Sequence, residues 1–181
     1  LNVGDEYMGR SKVFGHWRDT HVRIKGPAGL AAELSFREDW QWATGEEIPD
    51  QPTSIEPAGD QSMLIMPTGP ADELESCAIA FDDVIGQSQK RLWIVSPYFV
   101  PDLSMETALF AAKMRGVDVR ILIPQKPDHR IVWLASIAYA NRMAWHGIDM
   151  YRYPSGFLHE KVILVDDTIA GVGTVNFDHR S

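Results

Sequence analysis

Four side chains near the end of this sequence could do chemistry together. They lie in Gly156-Phe157-Leu158-His159-Glu160-Lys161-Val162-Ile163-Leu164-Val165-Asp166 and in Gly173-Thr174-Val175-Asn176. On a strand, alternate side chains share a face, so His159 and Lys161 point the same way. An imidazole beside an ammonium, with the amide of Asn176 15 residues beyond the lysine, is a poor metal site. The ammonium repels a divalent ion and offers no lone pair while charged. The same groups suit an anion. Lysine and the amide NH₂ can hold two non-bridging phosphoryl oxygens, leaving the imidazole to attack phosphorus or to move a proton.

The alternatives differ from residue to residue. A lone histidine at a strand end is usually structural, but the lysine two residues on, inside an apolar strand, points to function, because buried lysine is rare unless paired. Asp166 stands beside Asp167 where the strand ends, and there a turn or cap competes with direct catalysis. Asn176 could cap a helix running from Phe177 to Arg180 or contact the ligand. His21, His129, His146 and His179 show no ligand spacing. Ser96-Pro97-Tyr98-Phe99 follows a strand where α/β sheets carry ligand loops, or simply packs by its aromatic rings. Trp40 and Trp42 could meet lipid or close a helix end. Cys77 reads as an inert core residue.

Elements must position these groups. Thr20–Ile24 alternates as a strand would, and a helix is expected from Pro27 or Ala28 to Thr44. Residues 45–61 hold three prolines, two glycines and five acids and read as a linker. Beyond it the pattern alternates. A strand is expected at Ser62–Met66, then a helix capped by Asp72 that lines Leu74, Cys77, Ala78, Phe81, Val84 and Ile85 on one face. Strand Arg91–Ser96, helix Ser104–Arg115, strand Val117–Ile123 and helix Asp128–His146 follow. Strands Ile148–Tyr153, Lys161–Val165 and Thr168–Val172 complete the series. Alternation of this kind predicts an α/β layer domain with a largely buried mixed sheet. The ends read as cut from a longer protein, with an earlier repeat missing.

Composition bounds the function. The 181 residues carry 17 basic and 25 acidic side chains, a net charge of −8. Residues 1–60 have 6 basic and 11 acidic, and residues 61–181 have 11 and 14. Neither part is basic, so the long-range field gives no help to non-specific nucleic-acid binding. The single cysteine excludes an internal disulfide and any multi-cysteine zinc site. No apolar run reaches the ~20 residues of a transmembrane helix.

The run His159-x-Lys161-x₄-Asp166-x₆-Gly173-Thr174-x-Asn176 resembles the HxK(x)₄D(x)₆GSxN signature of the phospholipase D superfamily. Thr174 replaces the usual serine and keeps its hydroxyl. Asn2-Val3-Gly4-Asp5-Glu6-Tyr7-Met8-Gly9, Trp17-Arg18-Asp19-Thr20-His21-Val22-Arg23, Ser96-Pro97-Tyr98-Phe99-Val100-Pro101-Asp102 and Gly156-Phe157-Leu158-His159 narrow the likeness to its bacterial cardiolipin synthases. The resemblance implies a phospholipase D-like α-β-α sandwich repeat over residues 62–181, truncated at its C-terminus. It also implies a linker at 45–61 and the remainder of a preceding repeat at 1–44.

Further expectations come with the family. Asn2 would end a first signature, Asp19 would steady that signature's absent histidine, and the carboxylate for His159 would fall just beyond Ser181. His159, Lys161 and Asp166 would be catalytic, with Asn176, Thr174 and Asn2 on the phosphate. The implied reaction condenses two phosphatidylglycerols to cardiolipin and glycerol through a phosphohistidine, with no metal or organic cofactor. The implied partners are anionic phospholipid and, through the parent chain, the bacterial cytoplasmic membrane. Two copies of the chain could also pair their C-terminal halves. A phospholipase D-like nuclease, or an inert scaffold or binding fragment, remains the alternative.

Overall fold

The computed structural model describes residues 4–49, 55–69, 73–126 and 128–178. The chain divides into two compact units, one formed by 1–21 with 72–181 and the other by 22–71.

The larger unit is built on a five-stranded sheet. Its strands are β2 (Arg91–Val95), β4 (Asp118–Pro124), β5 (Asp149–Tyr153), β7 (Val162–Val165) and β8 (Ile169–Val172), in the order β5-β4-β2-β7-β8. β2, β4 and β5 run parallel, β7 is antiparallel to β2, and β8 to β7. Parallel neighbours need crossovers. Helix α3 (Leu103–Met114) joins β2 to β4, and α4 (Arg130–Trp145) joins β4 to β5. Helix α2 (Ser76–Gln87) precedes β2. Asp102 starts α3 by accepting the Met105 N–H at 2.8 Å, as an N-cap should.

Alternation along the strands sends Leu92, Ile94, Val119, Ile121, Ile123, Ile163 and Val165 to one face. There they share one core with Ile85 of α2, Met105, Leu109 and Ala112 of α3, and Ala140 and Met143 of α4. Each large apolar side chain so buried contributes about 1.5–3 kcal/mol. The mixed α/β architecture and mixed sheet agree with the expectation from sequence. These three helices all lie on that one face. The other carries the half-buried Trp93, whose ring takes the guanidinium groups of Arg91 and Arg120, each 5.0 Å from its centre.

Two small parallel pairs flank the sheet. β1 (Trp17–Arg18) pairs with β6 (Phe157–Leu158), and β3 (Phe99–Val100) with β9 (Phe177–Asp178). Phe177 therefore begins a strand, where helix-forming residues 177–180 had been one expectation. Its ring stacks on Phe99 at 5.7 Å.

In the smaller unit, α1 (Ala28–Thr44) starts and stops where expected and buries none of its residues. Gly45 ends it in the left-handed conformation, donating its N–H to Gln41 at 2.8 Å. Thr20–Ile24 and Ser62–Met66, expected as strands, form none apart from the neighbouring Trp17–Arg18. Apolar alternation makes a strand only where another strand supplies its hydrogen bonds. Asp72, the expected cap of the following helix, lies outside the described residues; α2 begins at Ser76 with Glu75 before it.

Candidate active site

His159 leaves β6 at the end of the sheet where β7 begins. Its placement depends on β1. Phe157 donates its N–H to the His16 carbonyl at 2.9 Å, and His159 donates its own to Arg18 at 2.8 Å. Gly156 makes the approach feasible. It has φ of 136°, and a Cβ there would lie 2.0 Å from the His16 oxygen. No other residue tolerates both conditions.

The ladder delivers Asp19 to the imidazole, with Oδ2 at 3.0 Å from His159 Nδ1. Asp19 was expected beside a histidine outside this chain, and the carboxylate of His159 beyond Ser181. The structure instead gives Asp19 to His159 itself, because β1 lies alongside β6. Thr20 fixes the other Asp19 oxygen by donating its N–H at 2.9 Å. Both side chains are about four-fifths buried, at 21% and 22% exposed. Burial alone would raise the Asp19 pKa. The hydrogen bonds from His159 and Thr20, with the charges of His159 and Lys161, outweigh it and hold the carboxyl below its usual value.

Lys161 Nζ stands 2.8 Å from His159 Nε2 and 3.0 Å from Nδ1, and it donates to the His159 carbonyl at 2.7 Å. The carboxylate at Nδ1 selects the tautomer of the neutral ring, with the proton on Nδ1 and the lone pair on Nε2. Burial drives the Lys161 pKa down to about 8, against the opposing pull of Asp19 and Asp128. Trp17 packs against the imidazole with ring centres 5.1 Å apart.

Glu160, between the two functional residues, points the opposite way and is buried. It accepts the Thr20 hydroxyl at 2.6 Å and the Arg18 side chain at 3.2 Å. Glu160 thus ties down the residues on either side of Asp19. Alternation in the sequence could have flagged it, since an acid on the inward face needs partners.

Asp166 stands apart from the expected catalytic group. It lies seven residues past His159 at the far end of β7, roughly 20 Å along an extended chain. Its carboxylate accepts the backbone N–H groups of Gln89, Lys90 and Arg91 at 3.1, 2.7 and 3.0 Å, and these bonds hold its pKa down. Its φ of 51° turns the chain from β7 toward β8. Asp166 is accordingly a structural residue that anchors the start of β2.

Thr174 and Asn176 are carried past the same end of the sheet as His159. Gly173 donates to the Lys161 carbonyl at 3.3 Å, and Phe177 to the Ser96 hydroxyl at 3.0 Å. Asn2 lies outside the described residues. Tyr98, from the loop the sequence offered to a ligand, stands nearby with Asp128, which sequence reasoning gave no site role. Tyr98 donates its hydroxyl to Asp128 Oδ2, and burial together with that bond pushes the phenol pKa up. Asp128 also accepts the His129 N–H at 2.6 Å. No spacing in the sequence relates Tyr98 to Asp128.

A carboxylate-braced imidazole beside a part-buried ammonium, at the end of a mixed sheet, describes an α/β protein with a site suited to an anion. Residues 81–181, a little over half the chain, match the family described as cardiolipin synthase, PLD-like domain, and the chain belongs to that family. Cardiolipin synthase A of Pseudomonas entomophila (strain L48) is 47% identical over 180 residues, 99% of this chain and 38% of that protein. The enzyme of the same name from Pseudomonas fluorescens (strain SBW25) is 45% identical with the same coverage. The chain thus spans a little over a third of the length of these curated relatives. Among solved structures, the phospholipase D family member Nuc from Salmonella typhimurium is 31% identical. That match covers 56% of this chain and 64% of Nuc, with a TM-score of 0.45.

Proposed function

We propose that this chain carries one half-site of a phosphatidyltransferase of cardiolipin synthase type, condensing two phosphatidylglycerols to cardiolipin and glycerol. The observation that carries the reading is the His159 constellation, with Asp19 at Nδ1 and the Lys161 ammonium within 3.0 Å of both ring nitrogens. The 45–47% identity to cardiolipin synthase A supports its lipid side.

A phosphodiester is anionic and repels anionic nucleophiles, so a neutral imidazole is the better attacker. One histidine, contributed from outside these 181 residues, forms the P–N bond as the P–O bond to glycerol breaks. His159 enters this step as the imidazolium, gives its Nε2 proton to the departing glycerol oxygen, and is left neutral with its remaining proton on Nδ1. The imidazole then takes a proton from the acceptor hydroxyl, whose oxygen attacks phosphorus and releases the first histidine. Asp19 holds the ring and stabilises it while it is imidazolium. Lys161 turns from the imidazole to a non-bridging phosphoryl oxygen, with Asn176 and Thr174 reaching the same group and Asn2 serving the other half-site.

In this reading residues 1–44 belong to a preceding repeat, 45–61 link the repeats, and 62–181 form most of the second. The isolated chain is inactive unless a second copy completes the site, and the full-length protein works at the bacterial cytoplasmic membrane. Among the described residues no helix is long and apolar enough to cross a membrane. The net charge of −8 opposes the nuclease alternative, which would gain from a basic cleft.

The test is lipid mass spectrometry of phosphatidylglycerol vesicles incubated with the full-length protein, native and His159→Ala. Cardiolipin from the native protein alone is expected. Phosphatidic acid alone would make the protein a hydrolase, and neither product from folded protein would overturn the lipid assignment.

A further inference from the structure

Asp19 braces His159, yet the strand pairing that delivers it stops one residue short. The ladder between β1 and β6 ends at Arg18, whose carbonyl takes the His159 N–H at 2.8 Å. Asp19 and Thr20 lie just past that last pair, and the compact unit that holds the site keeps this stretch of chain only as far as His21. Backbone beyond the end of a ladder opens readily. A side chain carried there needs a further restraint to stay 3.0 Å from an imidazole nitrogen.

Thr20 supplies that restraint. Its N–H holds one Asp19 oxygen at 2.9 Å, and its hydroxyl donates to Glu160 Oε1 at 2.6 Å. One half-buried residue thus joins the carboxylate that braces the histidine to a second carboxylate. Glu160 is only 6% exposed. An acid buried to that degree is unfavourable unless both oxygens are satisfied, and an apolar side chain of similar size would fill the space without the desolvation penalty. Glu160 Oε2 accepts from Arg18 Nε at 3.2 Å, but that arginine side chain is 53% exposed, so water competes with it. The bond to Thr20 is the shorter and the better shielded. Glu160 meets Thr20 and Arg18, whereas His159 and Lys161 meet each other, so its route to the reaction runs through Asp19.

We propose that Glu160 and Thr20 are positioning residues of this site: the hydrogen bond between them fixes the chain past Arg18 and keeps Asp19 Oδ2 on His159 Nδ1 during the reaction. The proposal rests on the phosphatidyltransferase reading above and extends the support of the histidine to two residues behind Asp19. Loss of this bond acts through Asp19 alone, so it lowers the rate by no more than loss of Asp19 does. It acts on kcat rather than KM, because Asp19 holds the imidazole and not the lipid.

The experiment is a double-mutant cycle in the full-length protein. Thr20→Val and Glu160→Met each remove the bond from one side at nearly constant volume. They are made singly, together, and on the Asp19→Ala background. Initial rates of cardiolipin formation are measured on phosphatidylglycerol vesicles, with circular dichroism and a thermal melt to establish the fold. Each single change is expected to lower kcat about tenfold with KM within about twofold, as loss of a hydrogen bond to a charged group does. The two together should cost no more than about twice either alone, since both break one contact. On Asp19→Ala, either should lower kcat by less than about twofold further. Thr20→Ser, which keeps the hydroxyl and the N–H, should retain roughly a third or more of native kcat.

A role in stability alone would lower the melting temperature and leave kcat per folded molecule intact, which would overturn the proposal. Losses that multiply with Asp19→Ala, a loss larger than that of Asp19→Ala, or one confined to KM would overturn it as well. Thr20→Val decides alone if Glu160→Met does not fold. If the native protein releases phosphatidic acid instead of cardiolipin, the transferase reading falls, while the same ratios read on phosphatidic acid still judge Glu160 and Thr20. A folded native protein that makes neither product overturns the reading itself, whatever the variants do.

Discussion

Removing the Asp19 carboxylate isolates the contribution of one hydrogen bond to the reaction. Asp19 Oδ2 and His159 Nδ1 are 3.0 Å apart in surroundings that leave each side chain only about a fifth exposed. A hydrogen bond to a charged group in such a place is worth about 1.5–3 kcal/mol. Each 1.36 kcal/mol is a factor of ten in rate, so Asp19→Ala in the full-length protein should lower kcat roughly 10- to 150-fold. Asp19→Asn should cost at least as much. Its amide N–H would donate to Nδ1 and drive the ring proton to Nε2, where Lys161 Nζ stands 2.8 Å away with its own protons. Neither variant should raise KM much, since Asp19 touches the imidazole rather than the lipid.

The folded-state Asp19 pKa lies below that of an ordinary aspartate, so the stability this pair contributes is present above about pH 4 and is lost as the pH falls through the lowered value. The assay is initial-rate cardiolipin formation from phosphatidylglycerol vesicles, with circular dichroism to establish the fold. Folded Asp19→Asn retaining more than a third of native kcat, or a loss confined to KM, would refute the reasoning.

Three further outcomes are expected. With Lys161 titrating near pH 8, its ammonium is lost above that value, and kcat/KM should fall along an alkaline limb centred there. Lys161→Arg should move that limb upward, and a pH profile in which both proteins decline together would contradict the assignment. Gly156→Ala forces a Cβ to 2.0 Å from the His16 oxygen at a φ of 136°. It should cost at least about 1–3 kcal/mol of stability in a thermal melt, as overpacking does, and should depress kcat because β1 can no longer present Asp19. Asp166→Ala removes the acceptor for three backbone N–H groups, so it should lower the melting temperature while leaving kcat per folded molecule unchanged. A kcat loss matching that of His159→Ala would return Asp166 to the catalytic group.

Much of the architecture was legible because its signals are local. Leu92 and Ile94 alternate with Arg91, Trp93 and Val95, and Asp102 caps α3 within three residues of itself. α1 could be read between Pro27 and Gly45 for the same reason. The two-residue strands β1, β3, β6 and β9 were not legible, since a segment that short has no period to detect. Ser62–Met66 failed in the opposite sense, having the pattern of a strand without a neighbour to pair with.

The sequence by itself brought an imidazole and an ammonium together. His159 and Lys161 stand two apart, in the structure within the link between β6 and β7, and an imidazole beside an ammonium suits an anion better than a metal ion. Only the tertiary structure decided which carboxylate serves the histidine. The sequence reading gave Asp19, 140 residues away, to a histidine outside the chain and counted Asp166, seven residues away, among the catalytic residues. The distant one wins because a strand is stiff: extended chain carries Asp166 to the far end of β7, whereas parallel pairing of Trp17–Arg18 with Phe157–Leu158 lays residue 19 against residue 159. That pairing depends on the His16 carbonyl entering the space above Gly156 and on Glu160 gripping Arg18 and Thr20 from the opposite face. Those contacts join residues far apart in sequence and have no local pattern, so only the folded chain reveals them.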